Sequence, residues 1–365
     1  MPYTVAIIVG TRPEIIKMSP VIRACESNGV AFVLIHTGQH YDHTMDGAFF
    51  DDLGLSPPAH NVRVGSRDYA SQMGYMMRAL ETVLKQACPD IVLVQGDTNT
   101  VLAGALAANK LQIPIGHVEA GLRSGDMNMI EERNRILTDH LAEYLFAPTG
   151  IAKTNLLDEG IAAEKVYVTG NTVSDAVYQN LAISESRENV CSMLGLEKKK
   201  YVLVTAHRAE NVDQKNVLNN ILLGLSRISE ELQMPLVLPV HPRTKHNIQS
   251  FGLDVPDAVR TIEPMGYLDF LQLQAHAALI VTDSGGLQEE ASILHVPCVT
   301  IRVRTERPET VEAGMNCLSD VSPEAMASAA KTMYTKDIQW RDLYGKGRVA
   351  EQILAIIRER NTYEK

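Results

Sequence analysis

Short, mostly apolar runs alternate along this chain with longer stretches whose apolar residues recur every three to four positions. In the first half the short runs are 3–9, 31–35, 91–94, 113–118, 144–147 and 166–168. In the second they are 201–205, 236–240, 277–281 and 296–301. Runs that are apolar on both faces predict buried parallel strands. The stretches between them predict helices near 15–22, 68–87, 101–108, 131–142, 174–196, 216–232 and 268–275. In 68–87, Met73, Met76, Met77, Leu80 and Leu84 fall on one side, a stripe that reads as core. Strand and helix in steady alternation predict an α/β chain with doubly wound parallel sheets.

At 365 residues the chain is long for a single core, so two domains are expected. The solvated charge run at 197–200 places the hinge nearby, and the boundary is set at 172/173. Thirty-four basic and 44 acidic residues leave a net charge of −10, which argues against a nucleic-acid partner. A phosphate ligand remains open, because its site needs only a few local cations. Cys25, Cys88, Cys191, Cys298 and Cys317 show neither metal-finger nor redox spacing, as expected in a reduced, cytoplasmic compartment. The first apolar run is too short for a signal peptide or a membrane span, and no membrane association is expected.

The chemistry gathers where strands end. The run at 277–281 leads into Thr282-Asp283-Ser284-Gly285-Gly286-Leu287-Gln288-Glu289-Glu290. Asp283 and Ser284 are helix-capping types, and the two glycines let a ligand approach the backbone. Such a helix start suits a phosphate, and Glu289 or Glu290 could accept from ribose hydroxyls. A plain tight turn with glutamates favouring the helix dipole fits the same residues. Gly10-Thr11-Arg12-Pro13-Glu14 ends the first strand, with Arg12 and Lys17 as cations near a helix start. It is neither a Walker loop nor Gly-x-Gly-x-x-Gly. Asp97 and Glu119 sit at two further strand ends, and Asp97 also fits as an N-cap. Glu131 lies in the first turn of its helix, where acidic residues suit the dipole anyway. His36, His40 and His43 read as a hydrogen-bonding loop rather than a zinc site. With two halves facing each other across a cleft, Arg12, Lys17, His207, Arg243, Arg304 and Arg307 are the candidate cations, and Asp97, Glu119, Glu131 and Glu290 the candidate acids.

Five motifs occur in order: Gly10-Thr11-Arg12-Pro13-Glu14-Ile15-Ile16-Lys17, Gln95-Gly96-Asp97-Thr98, His117-Val118-Glu119-Ala120-Gly121-Leu122-Arg123, the segment from Thr282 to Glu290, and Thr305-Glu306-Arg307-Pro308-Glu309. Together they resemble the non-hydrolysing UDP-N-acetylglucosamine 2-epimerases from about residue 5 to residue 350; His207-Arg208-Ala209-Glu210-Asn211 and the short loop from Gly125 to Ile130 look more like the archaeal branch. The resemblance implies a GT-B fold: two Rossmann-like domains, 1–172 and 173–345, with a last helix at 346–365 crossing back onto the first. It implies reversible conversion of UDP-GlcNAc to UDP-ManNAc through 2-acetamidoglucal, without nicotinamide, other cofactor or metal, in a homodimer supplying polysaccharide or glycan synthesis. It makes Asp97, Glu119 and Glu131 the acid/base carboxylates, without saying which removes the proton. Carboxylates gathered together raise one another's pKa, which suits proton exchange near neutrality. It puts His207 beside the diphosphate, with Arg12, Lys17 and Arg307 on the phosphates and Arg135 as a further cation. Ser284, Gly285 and Gly286 then offer the helix N-terminus, Glu290 holds the ribose, and the Met265 backbone with Phe270 holds the uracil.

The sequence departs from the family pattern in places. Ile130 stands where proline usually precedes the paired glutamates, and Val303-Arg304 replaces an acidic or amide residue followed by threonine. Ala209 stands where the bacterial branch has a second arginine, and the loop from Gln39 to Met45 also differs, so activation by a second substrate molecule is not expected. A hydrolysing epimerase, a GT-B glycosyltransferase and a silent UDP-sugar sensor are the alternatives. An epimerase of a diacetamido-uronic acid sugar is disfavoured by the stretch from Thr305 to Glu309.

Overall fold

The computed structural model describes residues 3–38, 49–65 and 68–363. His40, His43 and the loop from Gln39 to Met45 lie outside the described residues. The chain forms two compact units, Met1–Gln179 with Tyr344–Lys365, and Asn180–Leu343. It passes from one to the other within the helix Thr172–Glu185.

The first unit holds a seven-stranded parallel sheet in the order β3-β2-β1-β4-β5-β6-β7. The strands are β1 Thr4–Val9, β2 Ala31–His36, β3 His60–Asn61, β4 Ile91–Gln95, β5 Ile115–Val118, β6 Tyr144–Ala147 and β7 Val166–Val168. The strand order reverses beside β1, which pairs with β2 on one side and β4 on the other. In such sheets ligands bind outside the carboxyl ends of the strands at this switch point. The first motif leaves β1 here and the second leaves β4. β5 begins two residues later than its apolar run, because Pro114 has no N–H for the ladder.

Helix Arg12–Asn28 packs beside this sheet, entered through Pro13 and ended by Gly29 at φ +63°. Pro20 deprives the Ile16 carbonyl of its helical donor, and the Ser19 hydroxyl donates to that carbonyl instead, at 2.8 Å. The last helix, Val349–Tyr363, packs on Arg12–Asn28. Its first N–H groups, from Val349 and Ala350, donate to the Asp175 carboxylate at 2.9 and 3.1 Å. Burial pushes that carboxyl up to about 6, against the two N–H groups that favour its charged form.

The second unit repeats the plan with six parallel strands ordered β10-β9-β8-β11-β12-β13. They are β8 Val202–Thr205, β9 Leu236–Pro239, β10 Val259–Ile262, β11 Leu279–Thr282, β12 Cys298–Thr300 and β13 Asn316–Leu318. Its switch point lies between β8 and β11, which run in register from Leu279↔Val202 to Thr282↔Thr205. The His207 turn and the Asp283–Gly286 turn leave these two neighbours. The architecture is the GT-B pair of Rossmann-like α/β domains that the motifs imply. Edge strands β3, β10 and β13 are absent from the hydrophobic pattern because they are short and partly polar; Arg260 and Thr261 in β10 face solvent. Helix Pro242–Phe251 escapes the pattern too, since it buries only Thr244 and Ile248.

Candidate active site

In the first unit the turns after β1, β4 and β5 are laced together by side chains. Glu119 is 5 % exposed and has φ +71°, a left-handed conformation that costs a non-glycine residue about 1–3 kcal/mol. Lys17 Nζ lies 2.8 Å from both of its carboxylate oxygens, and Gln95 Nε2 donates to Oε2. Those contacts hold a buried carboxylate in a strained position and aim it. Asp97 is paired with Arg135, which also pairs with Glu132. Asn134 Nδ2 donates to the Asp97 carbonyl at 3.0 Å. The N-cap of helix Asn99–Lys110 is Thr98, so Asp97 is not spent on capping.

Helix Ile130–Leu141 decides between two adjacent glutamates. Glu132 is buried, and its carboxylate accepts from the Ser124 and Gly125 N–H groups at 3.0 and 2.9 Å. Glu131 is exposed and joins none of these contacts. Asp97 and Glu119 therefore face cations rather than one another, unlike the mutually repelling cluster expected from sequence. Arg12 is exposed, with its guanidinium 5.5 Å from the Phe49 ring centroid.

Glu14 is a site residue that sequence reading passed over as part of a motif. It is 2 % exposed and accepts from the Gly10 N–H at 2.7 Å and from the Thr11 and Thr98 hydroxyls at 2.9 and 2.7 Å. It thereby ties the β1 turn to the β4 turn that carries Asp97. Burial pushes its carboxyl up to about 7, against those three hydrogen bonds. Between pH 4.5 and 7 the folded chain thus keeps a proton that the unfolded chain has lost. Glu14 stabilises fully below 4.5 and loses that contribution as pH rises through 7. Relative to Glu14→Gln, which does not titrate, the wild-type protein is expected to lose on the order of 3 kcal/mol across this window. Urea unfolding of both proteins at pH 4.5 and 8 measures it, and an unchanged difference contradicts the assignment.

In the second unit Asp283 organises the site. It is fully buried, and its Oδ2 accepts from the His207 and Arg208 N–H groups, both at 2.9 Å, and from Asn211 Nδ2 at 3.1 Å. His207 Nδ1 lies 3.0 Å from Oδ1. Burial alone would raise this carboxyl, but the His207 contact and the N–H groups hold it below the usual range. The imidazole is thus oriented through Nδ1 while the side chain stays 41 % exposed. The His241 ring lies 5.8 Å away; burial first, then the His207 and Arg243 charges, lower its pKa.

Helix Gly285–Ile293 starts after Ser284, with no side-chain cap on its first N–H groups. The motif from Thr305 to Glu309 folds onto this helix. Thr305 donates to Gln288 at 2.6 Å, and Arg307 Nε donates to Glu289 at 2.6 Å. Glu306 pairs with Arg302 at 2.8 Å; that pair holds its carboxyl down at about 2 although burial alone would raise it. Arg307, the expected phosphate contact, is thus bonded to Glu289, as Lys17 is to Glu119. Glu290 accepts from Gln274 at 2.8 Å. Met265 and Phe270 pack, partly buried, on the cluster around Tyr201 and Leu203. Arg243 pairs with Asp213 at the surface, and Arg304 is exposed. Among the described residues no group of three or more His, Cys, Asp or Glu side chains is placed to hold a metal ion.

These two motif-lined switch points agree with the comparisons to known proteins. The family model for UDP-N-acetylglucosamine 2-epimerase matches residues 23–358. The chain belongs to the UDP-N-acetylglucosamine 2-epimerase family. A UDP-N-acetylglucosamine 2-epimerase of Methanococcus maripaludis is 49% identical over 361 residues, spanning 97% of this chain and 98% of that protein. The crystal structure of Methanocaldococcus jannaschii UDP-GlcNAc 2-epimerase in complex with UDP-GlcNAc and UDP is 50% identical and superposes with a TM-score of 0.87, covering 98% of this chain and 99% of that one. A UDP-2,3-diacetamido-2,3-dideoxy-D-glucuronate 2-epimerase of Pseudomonas aeruginosa is 40% identical over 95% of this chain and 97% of that protein. The epimerase family read from the five motifs is upheld, and so is the archaeal likeness read from the His207–Asn211 stretch and the short Gly125 to Ile130 loop. Sequence reading passed over Asp283 as the partner of His207, and Gln95, Glu132 and Glu289 as partners of site residues. Each such pairing joins separate motifs or distant turns, or depends on the rotation of a helix, and leaves no local signal.

Proposed function

We propose that this protein interconverts UDP-GlcNAc and UDP-ManNAc. The observation that carries the reading is the full-length, 50% identity to an epimerase whose structure holds UDP-GlcNAc and UDP. The carboxylates and cations at the switch points support it. The sugar C2–H is not acidified by a carbonyl, so direct deprotonation is disfavoured. On our reading a carboxylate takes the C2 proton as the C1–O bond to UDP breaks, and a C1=C2 double bond forms in 2-acetamidoglucal. UDP then adds back at C1 while C2 is protonated from the opposite face.

Asp97, Glu119 and Glu131 serve as the acid/base groups, and Arg135 holds Asp97. Arg12, Lys17, His207 and Arg307 answer the charge on the departing diphosphate, with the N–H groups beside Ser284, Gly285 and Gly286. Glu290 takes the ribose, and Met265 and Phe270 the uracil. Lys17 and Arg307 already hold Glu119 and Glu289, so a phosphate must share or displace those carboxylates. We assign the enzyme to the cytoplasm, as a homodimer feeding polysaccharide or glycan synthesis.

Incubation with UDP-GlcNAc in heavy water, followed by proton NMR, tests the reading. UDP-ManNAc deuterated at C2, with little free sugar, is expected. Free ManNAc plus UDP as main products would make the enzyme hydrolysing. Unchanged UDP-GlcNAc, with turnover of a diacetamido-glucuronate nucleotide, would move the substrate to the class of the Pseudomonas relative.

A further inference from the structure

His117 is wholly buried on β5, two residues before Glu119. Both of its ring nitrogens meet oxygen: Nδ1 lies 2.6 Å from Asp139 Oδ1, and Nε2 lies 2.8 Å from the Gly96 carbonyl. A carbonyl oxygen only accepts, so Nε2 carries hydrogen. Asp139, itself buried, also accepts from the Gly121 N–H at 3.2 Å and lies 2.7 Å from Arg123. Two donors on its second oxygen, the Arg123 guanidinium and the Gly121 N–H, fit an ionised carboxylate. An ionised Asp139 requires hydrogen on Nδ1 as well. A neutral ring has one N–H and would leave either the carbonyl or the carboxylate without its donor, a costly loss in a buried place. Behind this pair, Arg123 is bonded to Glu159 through two contacts of 2.7 Å, and His140 lies 3.8 Å from Glu159.

The two ends of the pair grip the two turns that matter. Gly96 precedes Asp97, and Gly121 follows Glu119 by two residues. We propose that His117 is a positioning residue, held as a buried imidazolium by Asp139, and that this ion pair sets the Asp97 and Glu119 turns for proton transfer. The protonation half of the inference stands on geometry alone, and the catalytic half rests on the epimerase reading above.

Histidine labelled with 15N in the whole protein, followed by long-range proton–nitrogen NMR, tests the first half. One histidine of the folded protein is expected to show hydrogen on both ring nitrogens at about neutral pH. Its signal disappears in His117→Gln and in Asp139→Asn. No imidazolium at that pH overturns the inference, whatever the fate of the variants. Kinetics test the second half. In both variants kcat is expected to fall roughly 10- to 100-fold, while KM stays within about threefold and UDP binds every molecule. A purely structural role would instead lower the fraction that binds UDP and leave kcat per binding-competent molecule unchanged. Wild-type kcat in whichever variant folds also overturns it. A wild-type protein that fails to turn over UDP-GlcNAc would sink the epimerase reading and leave the NMR result standing.

Discussion

Asp97→Asn is expected to lower turnover of UDP-GlcNAc by about a thousandfold or more and to leave UDP binding nearly intact. Asparagine matches aspartate in shape but can neither remove nor return a proton. The carboxylate is 31 % exposed at the end of β4, open to a substrate, and Arg135 orients it. The substitution keeps a carbonyl oxygen for Arg135, which retains Glu132. The Asp97 backbone stays tied to Asn134. The fold is therefore expected to survive, and the nucleotide contacts are proposed on other residues. Turnover by NMR beside UDP titration by calorimetry measures both effects. Lost UDP binding in a folded variant would contradict the role assigned to Asp97.

Gly121→Ala is expected to destabilise the first unit strongly. Gly121 has φ +80°, and a Cβ there would stand 2.3 Å from the Ala152 carbonyl oxygen and 2.8 Å from Leu156 Cγ. The first obstacle is backbone and cannot rotate away. Left-handed strain plus displacement of the helix Gly150–Asp158 should cost roughly 3–5 kcal/mol. Gly125→Ala is the matched control: φ is +74°, but nothing lies within 4 Å of the added atom. It should lose only about 1–2 kcal/mol, the strain alone. Urea unfolding of the two variants separates the contributions, and equal losses would show that packing against Ala152 is irrelevant. The glycine of the His117 motif is therefore demanded by its left-handed backbone and by packing under the site.

That glycine shows how legibility divides in this chain. The hydrophobic runs revealed most strands of both sheets, because a strand buried on both faces must be apolar along its length. They missed the edge strands β3, β10 and β13, which are short and partly polar, but found the edge strand β7. Five motifs in order revealed the family, since each sits at a strand end where ligand chemistry constrains residue type. The pairs Lys17–Glu119, Asp97–Arg135 and His207–Asp283 were not legible. Each joins groups from different elements, brought together only once strand order and register are set.

Glu131 and Glu132 mark the limit most sharply. Neighbours on a helix point about 100° apart, so one of them turns inward, and composition cannot say which. Packing of Ile130–Leu141 turns Glu132 in, onto Arg135 and the Ser124–Gly125 backbone. By itself the sequence determined two parallel α/β domains, the family and the identity of the chemical groups, because burial and ligand contact restrict residues locally. Only the tertiary structure decided which charge meets which, because an ion pair depends on distances that no local pattern encodes.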